Sequence, residues 1–163
     1  MRKPSASETQ AKKTYQGMAS KERFQTMAKI GLPAEMENLE ELLDFVEKEA
    51  DKAEFPTRRV LEIRLATEEV LVNIFYYAYP ETDGDVSISC FVKEDFFVLK
   101  ILDGGTPFNI MAAPGPDVSS CLSERCVGGL GVHFVKKMTT EARYVRENGQ
   151  NRLTLVFGKC RQK

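Results

Sequence analysis

Apolar positions recur at helical spacing in two stretches of the chain. Met36, Leu39, Leu42, Leu43, Val46 and Ala50 repeat every three or four residues with acidic residues between them, which predicts an amphipathic surface helix. Phe55-Pro56 breaks this pattern, and Thr57 is placed as the N-cap of a second helix running to Tyr79. In that helix Val60, Ile63, Thr67, Val70, Leu71, Ile74 and Ala78 form one stripe facing a core. Leu65, Val72 and Tyr76 make its far side apolar too, so the expectation is a helix buried on most sides. Glu69 and Asn73 stand within it, one turn apart.

The remaining pattern is short and strand-like. A first strand is expected from Arg23 to Ile30, ended by Gly31 and Pro33. After Pro80 and the Thr82-Asp83-Gly84-Asp85 turn, Val86 to Val92 and Phe96 to Leu102 read as two strands joined at Lys93-Glu94-Asp95. Asp103-Gly104-Gly105-Thr106-Pro107 ends the second. A segment from Phe108 to Val127 rich in Gly, Pro and Ser follows, and a loop of that length inside a domain is usually functional or mobile. Gly128-Gly129-Leu130-Gly131 leads into a third helix, Val132 to Thr139. Strands Arg143 to Arg146 and Leu153 to Phe157 close the chain, joined by an Asn148-Gly149 turn. This order of elements is that of an α+β fold, a two-layer sandwich.

Composition narrows the function classes. The 163 residues suit one domain with a sizeable core. Residues 1–20 lack apolar periodicity and read as a disordered tail, leaving 21–163 as the domain. Lys and Arg total 23 against 24 Asp and Glu, a balance without the electrostatic footprint of nucleic-acid binding. No apolar run reaches membrane-spanning length, and the polar N-terminus is no signal peptide, so a cytoplasmic location away from membranes is expected. Cys90, Cys121, Cys126 and Cys160 form no CxxC pair, and with one histidine a zinc site is not expected. They read as four reduced thiols. His133 reads as a partly packed helix residue, and Tyr76, Tyr77 and Tyr79 as helix packing rather than a base-stacking platform.

Three motifs carry candidate chemistry. Spacing of four puts Glu69 and Asn73 on one helix face. One reading has the Asn73 amide bonding a neighbouring loop and Glu69 reaching solvent. The other makes Asn73 a ligand of Mg2+, a hard cation that takes few protein ligands, with Glu69 deprotonating an attacking hydroxyl. Asp103 stands at a strand end, where it is either part of an ordinary Asp-Gly turn or an acceptor for the amino group of a purine. Gly128-Gly129-Leu130-Gly131 before a helix offers bare N–H groups and a positive dipole end to an anion.

Together and in this order, the three motifs resemble those of the GHKL ATPase superfamily. Glu69-Val70-Leu71-Val72-Asn73 resembles its Asn-containing helix box, Asp103-Gly104-Gly105-Thr106-Pro107-Phe108-Asn109 its first glycine box and Gly128-Gly129-Leu130-Gly131-Val132 its second. Thr154, in Leu153-Thr154-Leu155, matches the Thr of a late strand that supports the adenine site. Within the superfamily the chain is most similar to the anti-sigma-factor serine kinases of the RsbW type, over residues 23–158. The resemblance implies a Bergerat-type ATP pocket between helices and a mixed, mostly antiparallel sheet, with the helices on one face and the long loop as lid. It implies that Asn73 holds Mg2+, Glu69 is the catalytic base and Asp103 binds the adenine amino group. Gly105, Gly128, Gly129, Leu130, Gly131, Val132 and Thr154 complete the nucleotide site, with Gly129 and Gly131 cradling phosphate. The implied activity is an ATP- and Mg2+-dependent protein serine/threonine kinase of a bacterial partner-switching system. Its partners would be an anti-sigma-factor antagonist, which it phosphorylates, and a sigma factor, and a homodimer is compatible with this. The chain departs from the family at Tyr77, where His or Asn is common, and before the second glycine box, where the basic residue is Arg125 with Cys126 and Val127 intervening. These departures motivate an alternative, a nucleotide-gated binding module with little catalysis.

Overall fold

The computed structural model describes residues 28–112 and 129–160. The expected tail, Cys121, Arg125, Cys126, Gly128 and most of the expected lid lie outside these residues.

Five strands form one sheet in the order β1-β2-β3-β5-β4. They are Ala28–Pro33 (β1), Asp85–Lys93 (β2), Phe96–Asp103 (β3), Glu141–Glu147 (β4) and Gln150–Gly158 (β5). Every pairing among the described strands is antiparallel, so the mixed sheet expected above has no parallel pair here. Three helices accompany it: Leu39–Lys52 (α1), Thr57–Tyr77 (α2) and Gly129–Met138 (α3).

The first strand corrects its expected bounds. It does not end at Gly31 but continues to Pro33, which pairs with Asp85. An edge strand tolerates a proline at its end because the missing N–H costs no ladder bond there. The Asn148-Gly149 turn adopts left-handed backbone at both residues, φ 52° and 79°, the geometry a two-residue hairpin demands.

The two faces of the sheet follow strand alternation. Val86, Ile88, Cys90, Phe97, Leu99, Ile101, Leu153, Leu155 and Phe157 point toward the helices and share one core with them. Phe91, Val98 and Val156 form a small cluster on the opposite face. All seven residues of the predicted α2 stripe are buried. Of its expected far side, Val72 packs partly against the core, but Leu65 and Tyr76 are exposed, and so are Leu61 and Tyr77. The reading of a helix buried on most sides therefore fails, because α1 and α3 flank α2 without covering its outer surface. Tyr76 and Tyr77 do not pack into the core; only Tyr79 of that group is held.

Thr57 is the first residue of α2 rather than its cap; Pro56 precedes it with no side-chain cap, and its carbonyl accepts the amides of Arg59 and Val60. The helix stops at Tyr77, two residues short of the expected end. The carbonyl of Ala78 accepts the amide of Thr106 at 2.8 Å, and Tyr79 precedes a proline, which disfavours helical backbone. Arg59 is buried at the other end of the helix. It donates to the carbonyl of Gly158 at 2.9 Å and of Met138 at 3.4 Å, and pairs with Glu62. One side chain thus ties the start of α2 to the ends of α3 and β5.

Candidate functional site

The second half of α2 lies over the ends of β3 and β5, and a small cleft, partly open to solvent, forms between them. Val70, Asn73 and Ile74 line it from the helix, Asp103, Tyr144, Asn151 and Leu153 from the sheet, and Phe108 and Ile110 from the segment after β3. An apolar lining with a few polar groups is the usual composition of a small-molecule site.

Asp103 is the best-defined of these polar groups. Alternation of β3 carries it to the helix-facing side, where it is 6% exposed. Its Oδ1 accepts the Gly105 amide at 2.9 Å and the Asn151 side-chain amide at 2.8 Å. No described residue donates to Oδ2, which is left to accept from a ligand. The turn that follows is pressed against α2. A β-carbon on Gly105 would lie 2.5 Å from both the Cβ and the carbonyl oxygen of Ala78, so only glycine fits this approach. Tyr79 secures the same turn: its hydroxyl accepts the Gly104 amide at 2.8 Å and donates to the Asp85 carbonyl at 2.9 Å. Burial chiefly, partly offset by the Gly104 amide, holds the Tyr79 hydroxyl above the usual phenol range.

Asn73 satisfies its amide nitrogen within its own helix, donating to the Glu69 carbonyl at 2.6 Å. It bonds no neighbouring loop among the described residues, and its oxygen remains available on the cleft side. Glu69, one turn earlier, does not line the cleft. Its carboxylate packs against Gly131 so closely that a β-carbon there would overlap it. Burial, with the neighbouring Glu68 charge adding, raises the Glu69 carboxyl above the usual carboxylate range.

The second glycine motif is built differently from the expectation. Gly129, Leu130 and Gly131 do not precede the helix; they form its first turn. Gly131 owes its place to the Glu69 contact rather than to a left-handed backbone, and Val132 is a core residue, 2% exposed. His133 is exposed, not partly packed.

Thr154 is not brought to the site. It pairs with Lys100 and Arg143 on the face opposite the helices and does not line the cleft. Asn151 stands opposite Asp103 in the β3–β5 register instead. Sequence reasoning missed it, although extending the alternation of Leu153, Leu155 and Phe157 backward places a polar residue on the core face at 151. Tyr144 and Arg146, both bonded to Asn151 Oδ1 at 2.7 Å, were equally legible by alternation along β4.

The residues present suit Mg2+ only in company with a phosphate ligand. Asn73 supplies one neutral oxygen, and no group of three or more acidic, His or Cys side chains suited to a metal occurs among the described residues. Mg2+ keeps several waters and is commonly bound through one or two side chains plus substrate phosphates, which this donor set matches. No helix among the described residues is long and apolar enough to cross a membrane.

Comparison with known proteins finds a family and several relatives. Residues 32–157 match the family described as histidine kinase-like ATPase domain. The Serine-protein kinase RsbW of Listeria monocytogenes serovar 1/2a is 24% identical over 105 residues, covering 61% of this chain and 67% of that protein. The Serine-protein kinase RsbW of Bacillus cereus strain AH187 is 24% identical over 140 residues, covering 83% of this chain and 87% of that protein. Among solved structures, the RsbU and RsbW domains of a Mycobacterium tuberculosis protein match with a TM-score of 0.54 at 13% identity, over 81% of this chain and 32% of that one. That likeness is one of fold, and this chain spans about a third of the solved one.

Proposed function

Since the chain belongs to the histidine kinase-like ATPase domain family, we propose that it is an ATP- and Mg2+-dependent protein serine/threonine kinase of a bacterial partner-switching system. Its substrate is a Ser or Thr of a small anti-sigma-factor antagonist, and it also binds a sigma factor. The relatives named serine-protein kinase RsbW support this reading. The observation that carries the nucleotide part is Asp103: a buried carboxylate at the cleft with one oxygen saturated from the protein and the other left for a donor.

The residues divide the work. Asp103 Oδ2 accepts the exocyclic amino group of adenine, and Val70, Ile74 and Leu153 shield the base from water. The first turn of α3, with Gly129 and Gly131, directs free amides and its positive dipole end at the phosphates. Asn73 Oδ1 would hold Mg2+ together with those phosphates, and the ion would neutralise charge on the transferring group. Glu69 accepts the proton of the attacking hydroxyl, a task helped by a carboxyl whose affinity for protons is raised. Phosphoryl transfer depends mainly on positioning and charge neutralisation, which suits so small a set of groups.

Calorimetric titration with ATP, with and without Mg2+, tests the nucleotide part and needs no partner. Binding strengthened by Mg2+ and lost in Asp103→Ala is expected; no binding under either condition overturns the reading. Phosphate transfer to a partner protein then tests the kinase part, and Asn73→Ala transferring as well as wild type would sink it.

A second reading is favoured by Tyr77, whose side chain is exposed and does not line the cleft where the family commonly has His or Asn. In this reading the domain is a nucleotide-gated binding module, and ATP sets partner affinity without transfer. Glu69→Gln separates the two: partner regulation lost with ATP binding intact favours the kinase, and unchanged regulation favours the module.

A further inference from the structure

We infer that the outer face of the sheet is a docking surface for the chain's own N-terminal stretch, residues 15–27, which supplies a third layer over Phe91, Val98 and Val156. These three side chains stand side by side in one row across β2, β3 and β5, on the face away from the helices. They are 6%, 2% and 1% exposed. The strands cannot hide them unaided. Ser89 beside Phe91, and Thr154 and Gly158 beside Val156, are too small to close over them. Phe96 and the Lys100 ammonium, 4.5 Å from the centre of the Phe91 ring, shelter only part of the row. On the same face Leu102 and Val145 stay half-buried and Arg152 is exposed, so the cover is local to the end of the sheet where β1 begins.

What covers the row follows from where the chain runs. The burial is that of a single chain, so no second copy supplies it. The helices α1, α2 and α3 share the core of the other face. Residues 113–128 leave from Ile110–Ala112, where Ile110 joins that core, and return at Gly129, just before Gly131 meets Glu69 of α2. Both their ends lie on the helix side. Residues 161–163 are Arg, Gln and Lys and carry no apolar side chain. The N-terminal stretch fits on each count. Ala28 pairs with Cys90, so the chain enters β1 beside Phe91. Tyr15, Met18, Phe24 and Met27 are its apolar anchors. The row crosses two strand spacings, about 10 Å, and residues 15–27 span about 20 Å even at helical rise. Left bare, the row would be an apolar patch that promotes association between molecules. It lies at the opposite end of the sheet from Asp103, so the inference stands independently of the nucleotide reading.

The test is trypsin digestion of the native full chain, read at Lys21 and Arg23, against a synthetic peptide of residues 12–28. Both bonds are expected to be cut about tenfold or more slowly in the chain than in the peptide, because cleavage follows the population of the undocked segment. Val98→Thr combined with Val156→Thr keeps β-branched residues in the strands but puts two unpartnered hydroxyls under the cover. Cleavage should then approach the peptide rate while circular dichroism stays that of wild type. If that variant does not fold, Met18→Trp decides: the chain has no other Trp, and the added indole should be far less quenched by acrylamide in the native chain than in urea. Cutting at the peptide rate in wild type, protection unchanged in the folded Val98 and Val156 variant, or an indole quenched as freely as in urea each overturns the inference. Peptide-rate cutting in a chain that elutes as a dimer would give the face to a second copy, and in a monomer to residues 113–128.

Discussion

Glu69 and Gly131 are packed so closely that a β-carbon at position 131 would overlap the Glu69 carboxylate. The two residues belong to different helices and to different sequence motifs, and their contact is where the helix box meets the second glycine box. The clashing atoms are the far end of a flexible side chain, so a substitution here displaces the carboxylate rather than the backbone. Gly131→Ala is therefore expected to fold with little change in melting temperature and to lose tenfold or more of phosphate-transfer rate, on the order expected for a misplaced general base. A variant with wild-type transfer would show that the Glu69 position is not used in the reaction.

The Glu69 carboxyl is raised first by burial and then by Glu68. As a base it must be ionised, so transfer should fall as pH drops through this raised value, above the usual carboxylate range. Removing a neighbouring negative charge favours the ionised form. Glu68→Gln should thus move the acidic limb of the rate profile to lower pH. Folding stability responds with the opposite sense: the folded state binds the Glu69 proton more readily than the unfolded chain, so this group's contribution is fully present at low pH and is lost as pH rises through the raised value. Glu69→Gln should accordingly melt higher than wild type at neutral pH, with the gap closing on acidification.

Arg59 offers a test of stability alone. It is 5% exposed and satisfies the carbonyls of Gly158 and Met138. Arg59→Ala leaves these acceptors without that donor and removes the partner of a buried ion pair, a change that costs about 3 kcal/mol or more. Urea denaturation should show a lower midpoint with the slope unchanged. A shift within error would mean that water replaces the guanidinium.

The described cysteines should differ in reactivity. Burial, with Glu49 adding, pushes the Cys90 thiol up to about 12, while Cys160 is exposed. Since the thiolate is the reactive form, an alkylating reagent under native conditions is expected to mark Cys160 and to reach Cys90 only after denaturation. Peptide mass mapping reads both outcomes, and fast native labelling of Cys90 would reveal opening of the β2 core.

What the sequence disclosed depended on whether one element or two had to be read. The α2 stripe from Val60 to Ala78 was legible because helical period alone fixes a face. The exposure of Leu61, Leu65 and Tyr76 was not, since it depends on where α1 and α3 sit, and composition makes an uncovered apolar face look like a covered one. At the site, Asp103 stands out through the glycines beside it. Thr154 attracts attention through its Leu153-Thr154-Leu155 setting, yet alternation turns it away from the helices, and only the pairing of β3 with β5 makes Asn151 the residue opposite Asp103. The bounds of α3 could not be read because glycine looks like a helix breaker, whereas here close approach to Glu69 keeps Gly131 inside the helix.

The turn after β3 carries two glycines, yet none of its amides is idle. Gly104 donates to Tyr79, Gly105 to Asp103 and Thr106 to Ala78. Three successive N–H groups are thus closed off by partners from the residues just after α2 and from β3 itself. Measured by amide deuterium uptake, such a segment belongs with the slow-exchanging core despite its composition. A segment with its donors already spent also has none left to wrap an anion. Its glycines serve close packing, and the task of meeting a negatively charged ligand passes to the start of α3.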